Sequence, residues 1–227
     1  WRDGQTLQDI GFDGEMVEQV RAANLQRCGK DQQRERRPIP VSVKTRLGYD
    51  RVVIDEWLPA LLSERPAAVS LHGRTLEQGY KGEADWQAIA RAVEIARGTG
   101  SLILGNGDVR DLPDVYRRVQ QTGVDGVLIG RSAQGDPWFF RGKNMIKEAL
   151  HRGGELQLDL SPIDLEERFR VVIEHSEHFQ ALFGRSRFMA MRKHLTWYCR
   201  DFRGAAEMRG RMTRASSAEE VACHLEE

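Results

Sequence analysis

Four places along the chain set anion-binding residues directly after a short apolar run: Lys44-Thr45-Arg46, His72-Gly73-Arg74, Asn106-Gly107-Asp108 and Gly130-Arg131. A cationic side chain attracts a phosphate, and a glycine lets backbone N–H groups approach one closely. Taken singly, each residue also has a plain structural reading. A glycine after a strand serves a turn, and a lone Lys44 or His72 is a satisfied rim residue. Recurrence after all four runs is what points to a site. The last two loops suit a phosphate best, with Arg131 supplying charge, while Lys44 and His72 reach the rest of a phosphorylated cofactor. No GxGxxG follows a strand, which argues against a Rossmann dinucleotide site.

The runs themselves read as buried strands over Ile39–Val43, Ala68–Leu71, Leu102–Leu104 and Gly126–Ile129. Between them, apolar residues recur at helical spacing over Ile54–Leu62, Trp86–Ala96 and Asp111–Thr122, and a further helix is expected around Leu7–Gln26. Strands alternating with helices predict an α/β fold with a parallel sheet. Ligands of such sheets sit at the carboxyl ends of the strands, and (β/α)8 barrels often hold a phosphate after strands seven and eight. Beyond residue 150 the pattern holds only helices. Ser161-Pro162-Ile163-Asp164 reads as a helix start with Ser161 as the cap. An apolar stripe follows through Leu165, Phe169, Val172, Ser176, Phe179 and Phe183. A second helix is expected over Met189–Tyr198, and Ser216-Ser217 caps a last one. The sequence therefore divides near residues 151–160 into an α/β part, 1–155, and a small all-helical domain, 156–227.

Composition narrows the class. The 227 residues carry 34 Lys+Arg against 34 Asp+Glu, with 40% hydrophobic and 30% charged residues, which fits an ordinary globular protein with a sizeable core. Zero net charge argues against a protein that coats nucleic acid through overall basicity. No apolar stretch approaches the roughly 18 residues of a membrane span. Three well-separated cysteines, Cys28, Cys199 and Cys223, suggest a reducing compartment and a cytoplasmic location. The charge is nevertheless uneven. From Arg185 to Arg214 there are nine bases and two acids, interleaved with Phe188, Trp197, Tyr198 and Phe202. Bases with aromatics suit RNA, although Phe188 or Trp197 is expected to be buried. His175 and His178 form an HxxH with no third ligand evident, so no metal is expected.

The segments PVSVKTRLG (40–48), SLHGRTLEQGYKGEADW (70–86), LGNGDV (104–109), DGVLIGRSAQGDPWFF (125–140) and MRKHLTWYCRDFRGAAEMR (191–209) resemble successive motifs of the tRNA-dihydrouridine synthases. The resemblance implies the C-terminal half of an FMN-binding TIM (β/α)8 barrel, followed by a helical tRNA-binding domain. It places Lys44, His72, Asn106, Gly107, Asp108, Gly130 and Arg131 on FMN-contacting positions, with Lys44 beside the electron-rich side of the ring. With it, Arg46 and Arg74 near the mouth are expected to steer nucleotide phosphates, and Arg192 and Lys193 of the basic run to bind tRNA. Its chemistry has NADPH reducing FMN, hydride passing to C6 of a uridine in tRNA, and a cysteine donating a proton to C5. The family's Asn-x-Gly-Cys-Pro motif for that cysteine is absent here. None of the three cysteines is therefore assigned to catalysis, and the chain is expected to begin downstream of the catalytic loop and to be inactive alone. The rival readings are a catalytically inert RNA-binding module and another FMN- or phosphate-binding barrel oxidoreductase.

Overall fold

The computed structural model describes residues 13–16, 18, 19, 22 and 39–226. The chain divides into two compact units, residues 1–41 and 42–227. In the first, residues 14–16, 18, 19 and 22 are helical, and Asp13 accepts the Met16 N–H at 2.8 Å as an N-cap. The rest of the helix expected around Leu7–Gln26, and Cys28, lie outside the described residues.

The second unit opens with a four-stranded parallel sheet in the order β1 (Ser42–Arg46), β2 (Ala68–His72), β3 (Leu102–Asn106) and β4 (Gly126–Leu128). Helices α1 (Ile54–Ser63), α2 (Trp86–Ala96) and α3 (Leu112–Thr122) make the crossovers. Sheet and crossovers form the arrangement of a partial (β/α)8 barrel. Strand alternation gives the sheet two different faces. Val69, Leu71, Ile103 and Gly105 are buried beneath the helices, where Trp86 and Ile89 of α2 pack. Gly105 is required there, because a Cβ would lie 2.5 Å from the Trp86 ring. The opposite face carries Lys44, Arg46, His72, Asn106 and Leu128. Register aligns Arg46, His72, Asn106 and Leu128 in one row, with Lys44 one row deeper beside Ser70, Leu104 and Gly126.

Two crossover helices are capped as their sequences specify. Asp85 accepts the Ala88 N–H ahead of α2, and Asp111 accepts the Asp114 N–H ahead of α3. The first strand differs from expectation. It runs Ser42–Arg46, three residues later than Ile39–Val43, so Lys44-Thr45-Arg46 ends the strand instead of following it. Ile39 and Val41 stay exposed at 86% and 64%. Pro40 lacks the N–H a ladder requires, which delays pairing past it.

Past β4, short 3₁₀ turns over Arg131–Ala133 and Pro137–Gly142 lead into α4 (Lys143–Arg152), a helix the apolar pattern did not announce. Helices α5 (Leu165–Phe183), α6 (Arg192–Tyr198), α7 (Ala205–Met212) and α8 (Ala218–Glu226) follow, with a 3₁₀ stretch over Arg185–Met191 before α6. They share a core of Val172, Phe188, Met191, Leu195, Met212 and Val221. The cap of α5 is Asp164, whose carboxylate accepts the Glu167 N–H at 2.7 Å, and not Ser161. Asp outcompetes Ser here because its charge also meets the positive end of the helix dipole. Met189 belongs to the 3₁₀ turn, so the helix expected from it begins at Arg192. Ser217 caps α8 through the Glu220 N–H at 3.3 Å, and Glu220 returns to the Ser216 hydroxyl at 2.7 Å. Among the described residues, no helix is long and apolar enough to cross a membrane.

Candidate functional site

A cleft of 1470 Å³ lies at the carboxyl ends of the strands. Lys44, His72, Asn106, Gly107, Asp108, Gly130 and Arg131 all line it, although they come from four strands spread over almost ninety residues. Arg46 lines it too, while its guanidinium donates to the carbonyls of Thr75 and Gly79 at 2.9 and 3.2 Å.

Asp108 organises the rim. Its carboxylate accepts two hydrogen bonds from Arg74, at 3.0 and 2.6 Å, one from Arg131 at 2.8 Å and one from the Ala84 N–H at 2.8 Å. Three loops, after β2, β3 and β4, are thereby tied to one anion. Burial alone would raise the Asp108 carboxyl. The Arg74 hydrogen bonds, the Ala84 N–H and the charges of Arg74 and Arg131 hold it below the ordinary carboxylate range. Asp108 sits at φ 47°, the left-handed region that aspartate tolerates, and Gly107 before it at φ 134°. A Cβ on Gly107 would lie 2.5 Å from that of Ala84. Backbone conformation and close approach both demand glycine there.

Deeper in the cleft, Lys44 Nζ donates to Asn106 Oδ1 at 3.4 Å, and Asn106 Nδ2 donates to the Leu128 carbonyl at 3.0 Å. His72 is 7% exposed. Burial first, then the charges of Arg46, Lys44 and Arg74 against that of Asp108, lower its pKa to about 4. Its ring is therefore neutral at neutral pH. The site thus presents a lysine, a neutral imidazole, and a loop arginine held by a carboxylate. No described protein acceptor takes the backbone N–H of Gly107, Gly130 or Arg131. Space beside Gly130 is open, with nothing within 4 Å of where a Cβ would sit. Such donors beside a lysine and an arginine suit an anionic group such as a phosphate.

Two residues expected to meet a nucleic-acid substrate are turned elsewhere. Arg74 is 2% exposed and divides its donors among Asp108 and the carbonyls of Lys81 and Gly82, so it ties loops together instead of facing solvent. Arg192 donates to the carbonyls of Ala215 at 2.7 Å and Arg214 at 3.1 Å. Lys193 is exposed, and its ammonium has no side-chain partner among the described residues. Neither Arg192 nor Lys193 lines the cleft. Of the interleaved aromatics, Phe188 and Tyr198 are buried, at 0% and 7%. Sequence reading missed Tyr80, Trp138, Arg141 and Arg168, which also line the cleft, as does Arg200 of the basic run. Only Tyr80 carried a signal, as an aromatic in a loop of polar and glycine residues.

Cys199 is buried, donates to the Leu195 carbonyl at 3.4 Å, and has its thiol pushed up by burial to about 11. It is therefore a protonated, inert thiol at neutral pH. Neither Cys199 nor Cys223 lines the cleft. Among the described residues no group of three His, Cys, Asp or Glu converges as a metal site would require. His175 points Nδ1 at the Tyr198 hydroxyl, 3.2 Å away, and His178 is exposed.

A family model described as dihydrouridine synthase (Dus) matches residues 22–227. The chain belongs to the dihydrouridine synthase family. Among curated Dus relatives, a probable tRNA-dihydrouridine synthase of Mycobacterium leprae is 36% identical over 191 residues, 82% of this chain and 47% of the relative. The tRNA-dihydrouridine synthase B of Pseudomonas aeruginosa is 37% identical over 182 residues, 78% of this chain and 51% of the relative. Probable tRNA-dihydrouridine synthase 1 of Synechocystis sp. is 32% identical over 184 residues, covering 80% and 49%. The chain thus spans about half the length of the Dus proteins it matches.

Proposed function

We propose that the protein carrying this chain is an FMN-dependent tRNA-dihydrouridine synthase that reduces the C5–C6 bond of uridines in tRNA with NADPH. The observation that carries the reading is the convergence of seven strand-end residues on one cleft in a dihydrouridine synthase chain. A bound FMN supplies the two-electron reduction, and the protein supplies position and electrostatics.

Gly107, Gly130 and Arg131 offer N–H groups and charge for its phosphate. Lys44 would set its ammonium beside the ring of a bound flavin, where a cation favours the reduced form. Asn106 holds that lysine and is itself held by the Leu128 carbonyl. His72, kept neutral, adds a hydrogen-bonding group without a second charge. Asp108 neutralises Arg74 and orients Arg131, and Arg46 at the mouth is available to a substrate phosphate. The target uridine must leave its stack to reach such a cleft.

We further assign residues 1–155 to the barrel part and 156–227 to a tRNA-binding domain, which Lys193 serves from its exposed face. Neither described cysteine lines the cleft, and we infer that the chain alone does not turn over. The test is NADPH-dependent appearance of dihydrouridine in a tRNA transcript, catalysed by the complete protein. Flavin-free protein that binds tRNA and leaves uridine intact would instead establish the inert RNA-binding reading.

A further inference from the structure

Tyr80 is the anomaly of the cleft. Its side chain is 73% exposed, yet it lines the same cavity as Lys44 and His72. An exposed tyrosine on a mobile loop would be unremarked, but this loop is built to hold it still. Two arginines brace the segment from Thr75 to Ala84 from beneath. Arg46 donates to the Thr75 and Gly79 carbonyls, and buried Arg74 to those of Lys81 and Gly82. Gln78 closes the turn from inside, donating from its side-chain amide to the Lys81 and Glu83 carbonyls at 3.0 and 3.2 Å. Asp108 pins the far end through the Ala84 N–H.

The ring is also oriented. The Arg131 guanidinium lies over it, 5.5 Å from the centroid, while Asp108 holds that guanidinium at 2.8 Å. One face of Tyr80 is therefore covered by a fixed cation, and its large exposure leaves the rest of the ring open. The cleft it borders carries eight Lys and Arg side chains against five Asp and Glu, an excess of three positive charges. A rigid aromatic face at the edge of a cationic cleft is the arrangement single-stranded nucleic acids use, with bases stacking on the ring and the backbone following the charge.

We propose that Tyr80 is a stacking shelf for one unpaired nucleobase of the RNA, a nucleotide next to the one that enters the cleft. This rests on the tRNA reading above and deepens it, by adding a base subsite outside the cofactor pocket. Arg131 then acts from behind the ring, and Asp108 positions it. The competing occupant of the same face is the adenine of a dinucleotide reductant. Tyr80 stands on the open rim of the cleft, 73% exposed, where a polymer strand can continue past the ring, and this favours RNA.

The test compares Tyr80→Ala, Tyr80→Leu, Tyr80→Phe and Tyr80→Trp by fluorescence-anisotropy binding of an unmodified tRNA transcript, in the complete protein. FMN affinity and the rate of flavin reduction by NADPH are measured alongside. Tyr80→Ala and Tyr80→Leu should weaken tRNA binding about tenfold, while Phe and Trp stay within about twofold of the parent. The slope of log Kd against log salt should not change, because no phosphate contact is removed. FMN affinity should hold, since Asp108 still fixes Arg131. Tyr80→Ala binding tRNA as the parent does would overturn the shelf and leave the tRNA reading intact. Loss of FMN affinity, or slowed reduction by NADPH with tRNA binding unchanged, would also overturn it by giving the ring to the cofactor or the reductant. A parent protein that fails to bind tRNA would remove the reading and the shelf together.

Discussion

Around the strand ends, Arg74 and Arg131 converge on the carboxylate of Asp108, whereas in the helical segment Arg168, Arg192 and Arg209 donate to the backbone carbonyls of Arg200, Ala215 and Cys199. The first arrangement sets one negative charge between two cations and fixes three loops around a cleft. The second supplies donors to carbonyls left over where α6 and the turn before α8 end, and it leaves the positive charge uncompensated. Equal residue types thus do different work. In the sheet region an arginine is placed by an acid, and in the helical region by the backbone. The basic run from Arg185 to Arg214 mixes such structural arginines with residues such as Arg187, Lys193, Arg203 and Arg214, whose side chains have no partner among the described residues.

The largest effect should come from removing the shared carboxylate. Asp108→Ala leaves Arg74 buried without its counter-charge and should cost about 3 kcal/mol in urea denaturation. A loss below about 1 kcal/mol would mean the three loops are held by something else. Next is acidification. The lowered His72 pKa means the unfolded chain takes up its proton first, so stability is full above about pH 6.5 and falls as pH drops toward 4. His72 should account for a loss of about 2 kcal/mol between pH 8 and pH 5, and His72→Gln should remove that share from the melting curves. His175 and His194 are lowered by burial as well, so the parent–variant difference is the quantity to read.

In the helical region, Arg192→Ala should destabilise by about 1–2 kcal/mol, because the carbonyl of buried Ala215 and that of exposed Arg214 lose a charged donor. Its neighbour sharpens the contrast. Lys193→Ala should stay within about 0.5 kcal/mol in stability, yet reduce the salt slope of tRNA binding by about one. If both variants unfold the protein equally, the division between structural and free bases fails.

The alternation of strands and helices was legible because apolar residues recur with clean periods, and Trp86–Ala96 matches its helix residue for residue. β1 was misplaced because proline acts on pairing, which a hydrophobic run does not register. Helix α4 was missed because its sequence KNMIKEALHR buries only Ile146. The seven cleft candidates were legible from their positions at or just past the carboxyl ends of the strands. What Arg74 and Arg192 do was not, because their partners are a carboxylate 34 residues away in one case and a carbonyl 23 residues away in the other. Tyr80 needed the braced loop beneath it to be visible as more than a surface aromatic.

The central claim is that the strand-end cleft holds a flavin phosphate and ring through Lys44 and its neighbours. The most direct measurement is FMN titration of the purified complete protein, followed by flavin fluorescence, for the parent and Lys44→Ala. One FMN per protein, bound about tenfold more weakly by the variant at unchanged melting temperature, is the predicted result. Equal affinity in the two proteins would contradict it.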